Sequence, residues 1–200
     1  VQVLTARNIE EVYGTRVLVT PHPVFGSPQV SLLPETRSEN SPTMKKHVHI
    51  LAGGGSGGEL MRDLCEAGFY VTVGVLNVGD SDWEAARALD LPVISEAPFS
   101  GITAKRHEEN LAFIKKADAV VVAEIPLGHG NLLNLKAALA AANEGKAVYL
   151  LEENPEQGRD FTDGQGEKLL LEVKQKAKIV NKKARLYRAL SNEQFRSPSQ

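Results

Sequence analysis

Through the middle of the chain, apolar residues gather in short continuous runs separated by amphipathic stretches. HVHILA (47–52), FYVTVGVL (69–76), LPVIS (91–95), ADAVVVAE (117–124) and KAVYLLEE (146–153) read as five strands. Between them ELMRDLCEA, WEAARAL, KRHEENLAFIKKA and LLNLKAALAAAN read as helices. Continuous apolar strands that alternate with helices bury both of their faces, which is the signature of a parallel sheet covered on both sides. The pattern predicts an α/β fold, a doubly wound five-stranded parallel sheet of order 3-2-1-4-5 with right-handed crossovers.

The pattern changes at both ends. Residues 1–34 form a small unit: Thr5 starts a short helix that Gly14 closes, then Arg16–Thr20 and Val30–Leu33 read as two strands. So short a stretch cannot bury a core of its own. Residues 35–46 are polar, contain a proline and read as a linker to the domain at 47–160. In residues 161–200, Leu170, Val173, Ala177, Val180, Ala184 and Tyr187 recur at steps of three and four. That stripe predicts one long helix from Glu167 to about Ser191, ~37 Å at 1.5 Å per residue. Such a helix outruns the sheet, so part of its stripe is expected to pack on a second copy, giving a homodimer.

Composition narrows the class. The 200 residues carry 23 Lys/Arg and 25 Asp/Glu, a formal net charge of −2, which argues against a nucleic-acid binder. The basic residues crowd toward the end, with seven Lys/Arg and no acid between Lys174 and Arg188. They read as a solvated outer face or as a surface for an acidic partner. The one cysteine, Cys65, excludes an internal disulfide framework. No apolar run reaches the ~18 residues of a membrane span. With neither a signal peptide nor disulfides, the expected location is the cytoplasm.

Two glycine-rich loops carry the candidate chemistry. Gly53, Gly55 and Gly58 fit G-x-G-x-x-G between a strand and a helix, the placement that lets backbone N–H groups approach a phosphate in a Rossmann-like fold. The alternative is a tight crossover with no ligand. Gly128-His129-Gly130-Asn131 follows the fourth strand and also precedes a helix. In the predicted strand order the two loops flank the topological switch point. The candidate site is therefore Gly53, Gly54, Gly55, Ser56, Gly57 and Gly58 with Gly128, His129, Gly130 and Asn131, around a nucleotide or other phosphate-bearing ligand. Asp80 and Asp82 stand where a ribose-binding acid would fall, or where the next helix would be capped. Glu59 and Leu60 occupy the Lys and Ser/Thr positions of a P-loop, so ATP hydrolysis is not expected here. His47 and His49 share one side of a strand, as a metal pair or as polar residues at a strand start.

Two resemblances add to this reading. Leu4-Thr5, Asn8-Ile9, Val12-Tyr13-Gly14, Val17–Val19 and His22-Pro23 resemble the last segment of ATP-binding subunits of ABC importers for iron–siderophores, haem and cobalamin. The resemblance implies that an ATPase domain precedes this chain. It also implies that the partners are membrane subunits reached through that domain, and that the protein works at the inner face of the membrane without inserting into it. Residues 46–152 resemble the nucleotide phosphoribohydrolases once called lysine decarboxylases, whose motif after the fourth strand is PGGxGTxxE. Here Pro126–Asn134 carries Asn131 for the threonine and Asn134 for the catalytic glutamate. An amide cannot serve as a general base, so nucleotide-like binding is implied and hydrolysis is not. Together these imply an accessory regulatory or sensing domain. An enzyme using Glu124, Asp80 and His129, or a structural dimerisation module, are the alternatives.

Overall fold

The computed structural model describes residues 4–15, 17–21, 25–32, 46–156 and 158–192. The chain divides into two compact units, Val1–Pro42 and Thr43–Gln200. In the first, α1 (Ala6–Tyr13) starts at Thr5, whose hydroxyl accepts the Asn8 N–H, and ends at Gly14 in the left-handed region. β1 (Val17–Pro21) and β2 (Pro28–Leu32) then pair antiparallel. Val17 is the one buried hydrophobic residue among those described in this unit. Most of the predicted linker, and His22-Pro23, lie outside the described residues.

The second unit begins with β3 (His47–Leu51), α2 (Gly58–Glu66), β4 (Tyr70–Asn77), α3 (Ser81–Ala88) and β5 (Val93–Glu96). It continues through α4 (Ala104–Lys116), β6 (Ala119–Val122), the two-residue β7 (Leu127–Gly128), α5 (Leu132–Asn143) and β8 (Ala147–Leu151). The two-residue β9 (Asp160–Phe161), α6 (Gln165–Lys174), β10 (Lys178–Val180) and α7 (Lys183–Asn192) complete it. The sheet runs β5-β4-β3-β6-β8-β10 with every pair parallel. The predicted order is present, extended by a sixth strand. Right-handed crossovers put α2 and α3 on one face, with α7 against α2, and α4, α5 and α6 on the other. Ile50, Val120, Val121 and Leu150 are fully buried between the layers.

The C-terminal region corrects the expectation of one long helix. α6 stops at Lys174, and Lys178–Val180 pairs with Tyr149–Leu151 of β8 before α7 starts. The β-branched pair Ile179-Val180 suits an edge strand better than a helix interior. The three-and-four stepping marks no single face: Leu170 and Val173 belong to α6 on one side of the sheet, Tyr187 to α7 on the other, and Ala184 is exposed. Leu170 and Val173 are buried within the chain, so this stripe is not a free dimer seam. Among the described residues no helix is long and apolar enough to cross a membrane.

Candidate functional site

All the loops singled out from the sequence follow the C-terminal ends of strands, the edge where open parallel sheets bind ligands. The backbone N–H groups of the loop after β3 are bonded to carboxylates of the chain itself. Asp82 Oδ1 accepts the N–H groups of Gly57 and Gly58, each at 2.9 Å. Asp80 Oδ2 accepts the Gly54 N–H at 2.9 Å, while its Oδ1 accepts the Asp82 N–H at 2.8 Å. The N-cap of α3 is therefore Asp80, and Asp82 is a buried loop ligand (1 % exposed). Asp82 Oδ2 is buried with no hydrogen-bond partner. Desolvation pushes the Asp82 carboxyl above its ordinary range, against the two loop N–H bonds that favour its ionised form. Three of the loop N–H groups expected to face a phosphate, those of Gly54, Gly57 and Gly58, therefore already have partners within the chain.

Close packing dictates the loop's glycines as much as any ligand does. Gly54 sits at φ +64°, and a Cβ there would stand 2.9 Å from Pro126 Cγ of the loop after β6. Gly54→Ala is expected to cost about 1–2 kcal/mol, from the left-handed backbone and the displaced proline ring. Urea unfolding checks this; a change within experimental error would show that Pro126 yields freely. Ser56 is held by its own loop, its hydroxyl donating to Gly53 O at 2.9 Å.

The second loop is closed by Asn131. Its Oδ1 accepts the Gly128 N–H at 3.0 Å and its Nδ2–H donates to Pro126 O at 2.8 Å. Gly130 O accepts the Ile102 N–H at 2.8 Å, joining this loop to the one after β5. His129 is exposed. Glu124 binds Asn154 through the backbone N–H (2.8 Å) and the side-chain amide (3.2 Å). No hydrogen bond joins Glu124, Asp80 and His129 among the described residues.

Asn134 lies at the end of a buried polar chain that the sequence did not announce. Its Nδ2–H donates to the carbonyl of Val75 at 3.1 Å, which leaves Oδ1 to accept from Asn110 Nδ2–H at 3.2 Å. Asn110 Oδ1 then takes the His49 Nε2–H at 2.9 Å, which fixes that tautomer. His49 Nδ1 accepts from the Thr72 hydroxyl, and Thr72 Oγ1 accepts from His47 Nε2–H, both at 2.8 Å. One carbonyl, able only to accept, thereby orients five side chains. His49 is wholly buried, and desolvation lowers its pKa from 6.5 to about 4, so the ring is neutral at physiological pH. Both of its nitrogens are engaged, and His47 and His49 meet at Thr72. Among the described residues no group of three or more His, Cys, Asp or Glu side chains is placed to hold a metal.

The sequence pattern of the MJ0874 family matches residues 71–187, from β4 into α7. This chain belongs to that family. The uncharacterized protein MJ0874 of Methanocaldococcus jannaschii is 32 % identical over 80 residues, 40 % of this chain and 86 % of that protein. The cobalamin import ATP-binding protein BtuD of Halobacterium salinarum is 38 % identical over 98 residues, 49 % of this chain and 24 % of BtuD. The chain therefore spans about a quarter of that relative's length. Among solved structures, MurG of Acinetobacter baumannii aligns over 62 % of this chain and 39 % of its own, with TM-score 0.41 and 19 % identity. A conserved Enterococcus faecalis V583 protein aligns over 74 % of this chain and 98 % of its own, with TM-score 0.39 and 13 % identity. The matched family region contains Asp80 and the loop 128–131 and begins after Gly53–Gly58.

Proposed function

We propose that the α/β unit is an accessory, non-hydrolysing module of the ATP-binding subunit of a cobalamin or iron–siderophore ABC importer. In this reading it binds a nucleotide or another phosphate-bearing metabolite at the loops 53–58 and 128–131. The similarity to BtuD supports the setting: only 42 residues precede Thr43, so at least 56 of the 98 aligned residues fall in the α/β unit. Such a module would work in the cytoplasm, where its ATPase domain meets the membrane subunits. Two ATPase subunits in one importer would bring two modules together through surfaces other than the α6–α7 stripe.

The observation that carries the ligand reading is the set of three loop N–H groups, from Gly54, Gly57 and Gly58, held on carboxylate oxygens at 2.9 Å. A turn that coordinates a carboxylate has the donors and dipole that a phosphate needs. In this reading the ligand phosphate takes the place of Asp82, whose own ionised form is poorly solvated there. Calorimetric titration of wild type and Asp82→Ala with inorganic phosphate and with ATP tests it. Asp82→Ala is expected to bind inorganic phosphate at least about tenfold more tightly than wild type, since no internal anion competes. Adding Gly55→Val should remove that gain in a folded protein, and ATP should remain unhydrolysed in every variant. Failure of Asp82→Ala to bind either probe would leave the loop as a self-satisfied turn.

A further inference from the structure

Away from the glycine loops, a cavity of about 480 Å³ opens between the segment after β8 and the helix α6. It lies within the range of small-ligand sites, ~300–1,000 Å³. Its wall carries a charge cluster. Glu152, at the end of β8, is 8 % exposed, and its Oε1 alone forms ion pairs with both Lys174 Nζ at 2.6 Å and Arg159 Nη2 at 3.3 Å. The Arg159 side chain is only 12 % exposed, that of Lys174 29 %. Arg159 and the more exposed Lys174 thus share one oxygen of a nearly buried carboxylate.

A second acid, Asp160, lines the same cavity. Asp160 is turned into its own loop, accepting the Thr162 hydroxyl and the Gly164 N–H. Arg159 has five N–H donors and makes one side-chain hydrogen bond among the described residues, at 3.3 Å. Leu127 and Leu170 supply apolar wall, while the exposed carboxylates of Glu156 and Glu167 stand among the lining residues. The lining therefore combines two cations, apolar wall and four carboxylates, of which Glu156 and Glu167 are exposed.

We propose that this cavity binds a small zwitterion of amino-acid to dipeptide size. Its carboxylate meets Arg159 and Lys174, supplying the acceptors that the one Glu152 oxygen shared between them does not. Its ammonium group faces Glu156 and Glu167. A doubly charged anion such as phosphate is disfavoured by the same outer acids. The site shares no residue with the glycine loops and does not rest on the reading of those loops.

The test is differential scanning fluorimetry of the whole chain with the free proteinogenic amino acids and their glycyl dipeptides. Each probe is paired with its N-acetylated and carboxyl-amidated form, and calorimetry follows any shift. At least one free zwitterion should raise Tm, while its acetylated and amidated forms should not. Arg159→Gln should weaken binding by about 10- to 100-fold, the loss of one charge-assisted contact. Lys174→Met, at a more exposed position, should do the same where Arg159→Gln impairs folding. Asp82→Ala should leave this binding unchanged. No shift with any zwitterion, equal binding of the N-acetylated forms, or undiminished affinity in both variants would each overturn the proposal.

Discussion

Replacing Asn110 by leucine should destabilise the α/β unit by about 3 kcal/mol, although leucine is close to asparagine in size. Asn110 is fully buried between α4 and the sheet. Its loss strands the His49 Nε2–H on one side and Asn134 Oδ1 on the other, and each orphaned buried group costs about 1–3 kcal/mol. The cavity cannot relax to help them, because Gly74 of β4 brings the strand close beneath. A Cβ at Gly74 would stand 3.0 Å from Asn110 Oδ1 and 2.6 Å from Leu51 Cδ2. A double-mutant cycle with Asn134→Leu isolates the network. Each single change orphans its partner, so the double variant should be more stable than the sum of the two predicts, by about 1 kcal/mol or more. Urea unfolding curves with strictly additive effects, or an Asn110→Leu protein as stable as wild type, would show that the amides are not a coupled chain.

The elements whose burial is continuous were legible in the sequence. β3, β4, β6 and β8 announce themselves as mostly apolar runs because both of their faces are covered, with His47, His49 and Thr72 among the buried or half-buried polar exceptions. The position of the glycine loop at the end of β3 was legible for the same reason. What fills that loop was not. Asp82 reaches Gly57 and Gly58 from the next βα unit, 24 to 25 residues away, and local patterning cannot distinguish a cap from such a ligand. β10 was hidden because Val173 of α6, Val180 of β10 and Tyr187 of α7 fall at a helix-like spacing although they belong to three different elements. His47 and His49 were visible as a pair on one face. Their partners Asn110 and Asn134 sit on separate helices, where an asparagine among alanines and leucines carries no signal of what it meets. Glu152, Arg159 and Lys174 were likewise scattered across a strand end, a loop and a helix.

Acidification should weaken the fold through His49. In the unfolded chain this histidine takes a proton near 6.5, but burial holds it neutral in the native state down to about 4. Between those values the unfolded state binds the extra proton, so stability falls as pH falls through the window. The full gap is worth about 3 kcal/mol below both values, most of it already lost near pH 4.5. Protonation at Nδ1 would also turn away the Thr72 hydroxyl, which can no longer donate there and already accepts from His47. His47, whose pKa burial also lowers, adds in the same direction. Asp82, with its raised pKa, opposes them: it is protonated more readily in the folded chain than in the unfolded one. Urea midpoints for wild type and His49→Gln at about pH 7.5 and pH 4.5 separate these contributions. His49→Gln should be the less stable protein at the higher pH. It should also lose about 2 kcal/mol less than wild type on moving to the lower pH, because its side chain has no proton to take up. Equal losses in the two proteins would assign the acid sensitivity to groups outside this buried chain.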